Sequence, residues 1–423
     1  MAIDEEIDKL KKLQEKQNKV AEMPIQGLKL NKDGAIRANS IHNIGVILQR
    51  DPLLAGKIAF NEFTYEIELL QDIPKLMLEK GVIDDDYPPA ILNYIESKYN
   101  VLFSDKLLNG ALVNVARKNV YNPVLDYFED CYQKWDGKIR SDDFLPDYLG
   151  VEKSAVTALQ TRLFFVGAVA KVYKPEMKFD YVLDLIGGQG AGKTTLLKKV
   201  SNGWYTDQFT DFENKDNYSN MLRALIINDD EMTATNNSSF EILKKFISSE
   251  VLEYRKPYGR HTVRRYKNFV MARTTNELTY LKDKTGERRF LPNLVNKRLQ
   301  KKSPLTDLKQ DYIDQLWGEF TAYYQDGFSF MLDEAEEELL NQHRSAFMYV
   351  DEQEGAIEQC LQEWQDNFIT SSQIAKFMGE DNLINNPKLA RKIKYVMDNH
   401  HDWQAVQKRF GNVSQRGYRK RIQ

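Results

Sequence analysis

The sequence predicts an α/β fold: a core of parallel strands ending in polar loops, preceded by a largely helical region and followed by a basic module. Three observations carry that expectation. Tyr181–Leu197 reads YVLDLIGGQGAGKTTLL, a buried strand, a glycine-rich turn and a helix start. Two further apolar runs, Arg223–Ile227 (RALII) and Phe269–Ala272 (FVMA), end in NDDE and, two residues on, in TTN, as buried strands do where a sheet opens onto a polar site. From Ser371 to Gln423 eleven Lys and Arg stand against four Asp and Glu, a net +7 in a chain whose total is −3.

The 423 residues exceed one ordinary domain and imply roughly two to four. The net charge excludes a uniformly basic nucleic-acid coat, so any such surface is local. Cys131 and Cys360 lie far apart and no Cys/His cluster has zinc spacing, which argues against a disulfide framework and a structural zinc. No run is read as a membrane span and MAIDEEIDKLKK is too charged for a secretory signal, so a cytoplasmic protein without a membrane partner is expected.

Taken in order, Ile3, Ile7 and Leu10 recur at helical spacing, so residues 1–24 are expected to hold a short amphipathic helix ended by Pro24 and Gly27. Asn31–Gly34 reads as a turn, Asn39 or Ser40 as an N-cap and Ile41–Leu48 as a helix stopped before Pro52. Helical spacing returns in short pieces from Asn61 to Asn119 and makes residues 25–130 a helical accessory domain. Asp84-Asp85-Asp86 stands next to Pro88-Pro89, where a solvated turn is far commoner than a metal site. Helical sets over Tyr121–Trp135 and Ser154–Tyr173 then lead into the first strand.

In the strand-to-helix unit Gly187, Gly192, Lys193 and Thr194 match the full phosphate-loop pattern, and Gly188 and Gly190 free backbone N–H groups to turn toward an anion. The helix start adds its partial positive charge. Lys193 is expected to reach the β- and γ-phosphates of a nucleotide such as ATP and Thr194 to ligate Mg²⁺, with Thr195 beside them. The NDDE strand end supplies what such a site needs, one carboxylate for the metal and one to deprotonate the attacking water. Asp230 is assigned the first role and Glu231 the second. Asp229 competes for either, because three consecutive acids leave the register open by one.

Ser238–Glu250 reads as an amphipathic helix, followed by EYRKPYGRHTVRRYKNF. Tyr254-Arg255 and Val263–Tyr266 can pair as strands around a basic tip, in which Lys256, Arg260 and His261 suit a nucleic-acid backbone. Asn276, at the end of the third strand, can hydrogen-bond the γ-phosphate or its attacking water. The TGERRF turn, Thr285–Phe290, presents Arg288 and Arg289, either of which can stabilise charge on a transferring phosphoryl group, in its own subunit or a neighbour's. Gln315–Tyr324 and Leu332–His343 are closing helices. In residues 351–423, two short helices, a longer basic helix and a basic hairpin-like end point to a winged helix-turn-helix that contacts DNA through Lys388, Arg391, Lys392, Lys394, Arg416 and Arg419.

With the phosphate loop, the NDDE and Asn276 strand ends and the TGERRF turn in this order, the chain resembles the virulence-associated protein E family. DPLLAGKIAFNEF (Asp51–Phe63), YRKPYGR (Tyr254–Arg260) and QLWGEF (Gln315–Phe320) add to the resemblance. It implies an AAA+ ATPase core over residues 131–350, akin to superfamily 3 replicative helicases of phages and pathogenicity islands. It further implies a ring, usually hexameric, that hydrolyses ATP between subunits and moves along DNA in a bacterial host, with a primase or loader as a possible partner. Arg260-His261 match the place of that group's channel hairpin. Asn228 stands where the family often has Glu, and PEM (Pro175–Met177) replaces a common PG. Two other functions remain open: a remodelling or switch ATPase acting on proteins, and an origin-binding initiator that uses ATP only to assemble.

Overall fold

The computed structural model describes residues 25–255, 261–281, 287–348, 352–381, 383, 385–398, 400, 402–410 and 413–421. The helix expected within residues 1–24 and the hairpin-tip residues Lys256 and Arg260 lie outside them. The chain divides into two compact units, one running through Asn276 and resuming at Arg288–Glu337, the other made of Glu277–Glu287 and Glu338–Gln423.

The first unit begins with a module that is less purely helical than its periodicity implies. Four short strands, β1 (Ile58–Asn61), β2 (Glu66–Leu69), β3 (Gly81–Val82) and β4 (Val120–Tyr121), form a sheet in the order β3-β2-β1-β4. Helices Ile41–Arg50, Tyr87–Tyr99 and Asp105–Ala116 share a core with it. Strands of two to four residues are too short to show alternation, and β1 is buried at all four positions, so no period of two exists to be read. Ser40 caps the first helix by accepting from Asn43 N. Just past that helix Asp51 is fully buried and accepts from Lys98 Nζ at 2.6 Å and Tyr99 OH at 2.6 Å. Burial alone would raise its pKa, and these bonds hold it below the ordinary carboxylate value. Asp84–Asp86 leads into helix Tyr87–Tyr99, whose first turn takes the two prolines.

The body of this unit is an all-parallel sheet of β5 (Val182–Ile186), β6 (Tyr205–Thr206), β7 (Ile226–Asp229), β10 (Val270–Thr275) and β11 (Phe290–Leu294), in the order β11-β5-β10-β7-β6. Between β7 and β10 the chain makes the hairpin of β8 (Val251–Arg255) and β9 (Thr262–Tyr266). β5 and β10 are buried at every position, which is why their sequences do not alternate between apolar and polar residues. Two charges within them neutralise each other: Arg273 forks onto Asp184 at 2.7 and 2.6 Å with its guanidinium 4.0 Å from the centre of the Phe290 ring.

Helix Ala155–Tyr173 is long and apolar enough to cross a membrane by length and composition, a feature the reading of the sequence passed over. Its most apolar stretch is 89% buried inside the protein, which makes it a core helix. QLWGEF is accounted for by packing. Gly318 lets helix Gln310–Gln325 meet helix Pro123–Gln133 so closely that a Cβ there would stand 2.5 Å from Cys131 O. Trp317 Nε1 donates to Val200 O at 2.8 Å, and buried Glu319 accepts from Arg140 N at 2.6 Å and from Ser141 N. Helix Pro123–Gln133 therefore belongs with the sheet's helical layer.

In the second unit, helices Glu352–Glu363, Ser371–Phe377 and Pro387–Asp398 close on a sheet of β12 (Phe368–Ile369), β13 (Trp403–Phe410) and β14 (Val413–Lys420), ordered β12-β14-β13. Ile357, Ile369, Ile374, Ile393, Met397 and Trp403 fill its core. Leu389, Ile393 and Met397 put one stripe of the basic helix inside and leave its charged positions outward.

Candidate functional site

β5 ends at Ile186 and the chain turns at once. Gly187 (φ 149°) passes so close to the strand-end backbone that a Cβ would stand 2.4 Å from Val295 O. Gly192 (φ 83°) occupies the left-handed region at the mouth of helix Lys193–Val200, with Pro304 2.8 Å from its Cβ position. Lys193 folds back over the loop, donating to the carbonyls of Gly187 and Gly188 and, at 3.2 Å, to Asn276 Oδ1. Burial pushes its pKa below the ordinary lysine value, and the negative charges of Asp230 and Glu231 oppose that.

The three acids after β7 separate by geometry. Asp229 is buried and accepts from Ala234 N (2.7 Å), Thr235 N (2.9 Å) and Thr235 Oγ1 (2.6 Å), so it fastens the turn beneath the site. Its pKa is raised by burial, against those bonds. Asp230 Oδ1 accepts from Thr194 Oγ1 at 2.9 Å, Thr274 Oγ1 at 2.8 Å and Asn228 Nδ2 at 3.1 Å. Glu231 and Met232 both adopt left-handed backbone (φ 54° and 51°), a conformation costing about 1–3 kcal/mol per non-glycine residue. Glu231 N donates to Thr274 Oγ1 at 3.0 Å, which anchors the turn. Its side chain is exposed and lines a cleft of about 210 Å³ shared with Gly190, Gly192, Lys193, Thr194, Thr195, Asp230 and Asn276.

The cleft thus gathers the loop, the lysine, two acids and the asparagine at the C-terminal edge of the sheet. Mg²⁺ accepts one or two carboxylates and completes its octahedron with phosphate and water oxygens. The adjacent Thr194 hydroxyl and Asp230 carboxylate fit that requirement. Among the described residues no group of three or more His, Cys, Asp or Glu is placed to hold a metal without a phosphate's help. Thr274 and Asn228 were not singled out by sequence reasoning as site residues. Their signal is position: Asn228 stands two residues before Asp230, and Thr274 follows Arg273, which pairs with Asp229 on the neighbouring strand.

Arg288 and Arg289 do not join this cleft. They precede β11, whose Phe290 lies beside Val182 at the start of β5. Their own phosphate loop therefore begins on the order of 15 Å farther along the strands, beyond an arginine's reach. Arg289 Nε lies 3.2 Å from Ser248 Oγ and 3.7 Å from Asp180 Oδ2, and Arg288 is exposed. At the hairpin His261 is exposed, while β8 and β9 bury Leu252 and Tyr254 on one face and turn Arg255, Arg264 and Tyr266 outward. In the second unit Lys388, Arg391, Arg416 and Arg419 are exposed, but Lys392 pairs with Glu354 at 2.5 Å and Lys394 with Asp398 at 2.7 Å. Those two lysines are less available to an outside anion than their charge implies.

A family model described as the virulence-associated protein E-like domain matches residues 128–349. No curated protein matches this sequence. A solved apo structure of the NrS-1 C terminal region (305-718) aligns with TM-score 0.46 and 12% identity over 86% of this chain and 95% of that one. Two A form apo structures of the NrS-1 C terminal region align with TM-scores of 0.44 and 0.43, at 13% and 11% identity, over 86% of this chain and 95% and 96% of theirs.

Proposed function

The chain belongs to the virulence-associated protein E-like family, and from that premise we propose that it is an ATP-dependent DNA helicase that initiates or sustains replication of a phage or pathogenicity island. The observation that carries this reading is the approach of Asp230 Oδ1 to Thr194 Oγ1, 2.9 Å, inside a cleft that also holds Lys193, Glu231 and Asn276. A strand end that brings a carboxylate to the hydroxyl of a phosphate loop serves a Mg²⁺-nucleotide and has little other use.

In this reading the first unit's core is an AAA+ phosphate-loop ATPase. Thr194 and Asp230 hold Mg²⁺, whose charge screens the phosphate oxygens. Lys193 exchanges its loop-carbonyl bonds for the phosphates, and the amides of Gly188, Gly190 and Gly192 cradle them. Glu231 takes a proton from the attacking water and Asn276 orients that water. The strain at Glu231 is the means by which one acid is lifted into the cleft while Asp230 stays with Thr194. An arginine that cannot reach its own cleft can still reach another copy's, so Arg288 or Arg289 would act in trans within a ring, a hexamer by the family's habit.

The second unit's order of helix, strand, helix, helix, strand, strand supports a winged helix-turn-helix, with Lys388 and Arg391 on the groove-facing helix and Arg416 and Arg419 on the wing. Its partner is origin duplex, in the cytoplasm of a bacterial host, with a primase or loader acting alongside. The test is a forked duplex incubated with purified protein and MgATP, with the assembly's mass measured in parallel. Strand displacement by a six-membered ring is expected. ATP turnover that DNA does not stimulate, with no displacement, would favour a remodelling ATPase instead, and assembly with neither activity an initiator.

A further inference from the structure

The segment after β11 lies along the outside of the phosphate loop. Val295 N donates to Ile186 O at 2.6 Å and Gln300 Nε2 donates to Ala191 O at 2.6 Å. Lys297 stands between these two anchors. It is exposed, and its Nζ lies 3.6 Å from the position a Cβ on Gly190 would take. Nearby Lys301 and Lys302 share the carboxylate of Asp147, at 2.9 and 3.1 Å. Lys297 has no ion pair or side-chain hydrogen bond among the described residues.

Strand order fixes which flank of the loop this lysine occupies. β11 and β10 lie on opposite sides of β5. Asn276 follows β10 and Glu231 follows β7, so the groups that would act on the terminal phosphate gather on one flank and Lys297 stands on the other. A cation held there faces the part of the phosphate chain that stays with the nucleoside after hydrolysis. We propose that Lys297 is a second phosphate-binding cation of this site, directed at phosphate oxygens nearer the nucleoside. The proposal rests on the reading of the loop as a nucleotide site. An ammonium brought to a phosphate makes a charge-assisted contact, which salt weakens because the group is exposed.

The test is calorimetric titration of the full chain with MgATP and with MgADP, at low and high salt, for wild type, Lys297→Ala and Lys297→Arg. Lys297→Ala should bind both nucleotides on the order of tenfold more weakly at low salt, with a smaller difference at high salt. KM for ATP should rise with kcat little changed, and Lys297→Arg should recover most of the affinity. Equal binding of both nucleotides by wild type and Lys297→Ala overturns the proposal and leaves the nucleotide site standing. A loss confined to ATP overturns the assigned flank by placing Lys297 at the terminal phosphate. Failure of wild type itself to bind either nucleotide removes both the proposal and the reading beneath it.

Discussion

At the C-terminal edge of the parallel sheet, the strands stop in Asp230, Glu231 and Asn276 around an open cleft. At the N-terminal edge basic side chains gather: Lys171, Lys267 and Arg289 are buried or half-buried there, with Asp180, Glu176 and Glu250 as nearby counter-charges, and Arg288 is exposed. One edge gathers the glycine-rich loop, Lys193, Asp230, Glu231 and Asn276 around a cleft whose lining includes no arginine. The other edge carries Arg288 and Arg289, away from that cleft. Parallel strands cause this division, because every loop that follows a strand emerges at one edge and every residue that precedes one lies at the other.

The largest effects should come from the cleft itself. Lys193→Ala should reduce ATP turnover by at least about a hundredfold with the fold intact, since the lysine acts on bound phosphate. Glu231→Gln should bind ATP with near-normal affinity and lose turnover by about 10²–10⁴, the usual range for a lost general base. Circular dichroism and single-turnover hydrolysis separate these outcomes from misfolding. Full turnover by Glu231→Gln would return the base to another acid.

A smaller effect sharpens the contrast between neighbouring acids. Asp229→Asn keeps the shape but turns an amide toward three donors, which should cost about 2–3 kcal/mol of stability while nucleotide binding persists. Asp230→Asn should do the reverse, leaving the melting temperature alone and removing Mg²⁺-dependent turnover. Matched melting temperatures for the two variants would mean that Asp229 does not fasten the turn.

The smallest effect tests the N-terminal edge. Lys267 is fully buried, donating to the carbonyls of Phe246 and Ile247, and burial pushes its pKa down from 10.5 to about 7, helped by the charge of Lys171. Between pH 7 and 10.5 the unfolded chain therefore binds more protons here than the folded one, so stability from this group rises with pH. Wild type should gain about 2 kcal/mol over Lys267→Met between pH 7 and pH 9. Parallel stability profiles would contradict the assignment of that titration to Lys267.

How much of this was legible in advance follows from what is local. The strand, glycine-rich turn and helix around Lys193 could be read because they are consecutive in the chain, and the pairing of β8 with β9 because the two strands lie close together in sequence. The choice among Asp229, Asp230 and Glu231 could not, because it depends on two consecutive left-handed residues that no glycine announces. The separation of Arg288 and Arg289 from their own loop is a property of register between β11 and β5, a contact across about a hundred residues of chain. Lys297 is hidden for the same reason. The small N-terminal sheet was missed because its strands are shorter than any period they could display, and Lys392 and Lys394 read as free charge because a net count does not say which acid sits beside which lysine.

The division of the site between two edges is the central claim, and subunit mixing tests it most directly. Neither Lys193→Ala nor the arginine variant, Arg288→Ala or Arg289→Ala, should hydrolyse ATP alone. Mixed at concentrations that permit assembly, they should recover part of the activity, since some interfaces then join an intact loop from one copy to an intact arginine from the other, and the recovery should vanish on dilution. Undiminished hydrolysis by both arginine variants, or assembly of the mixture without rescue at any ratio, would show that each cleft is completed within its own chain.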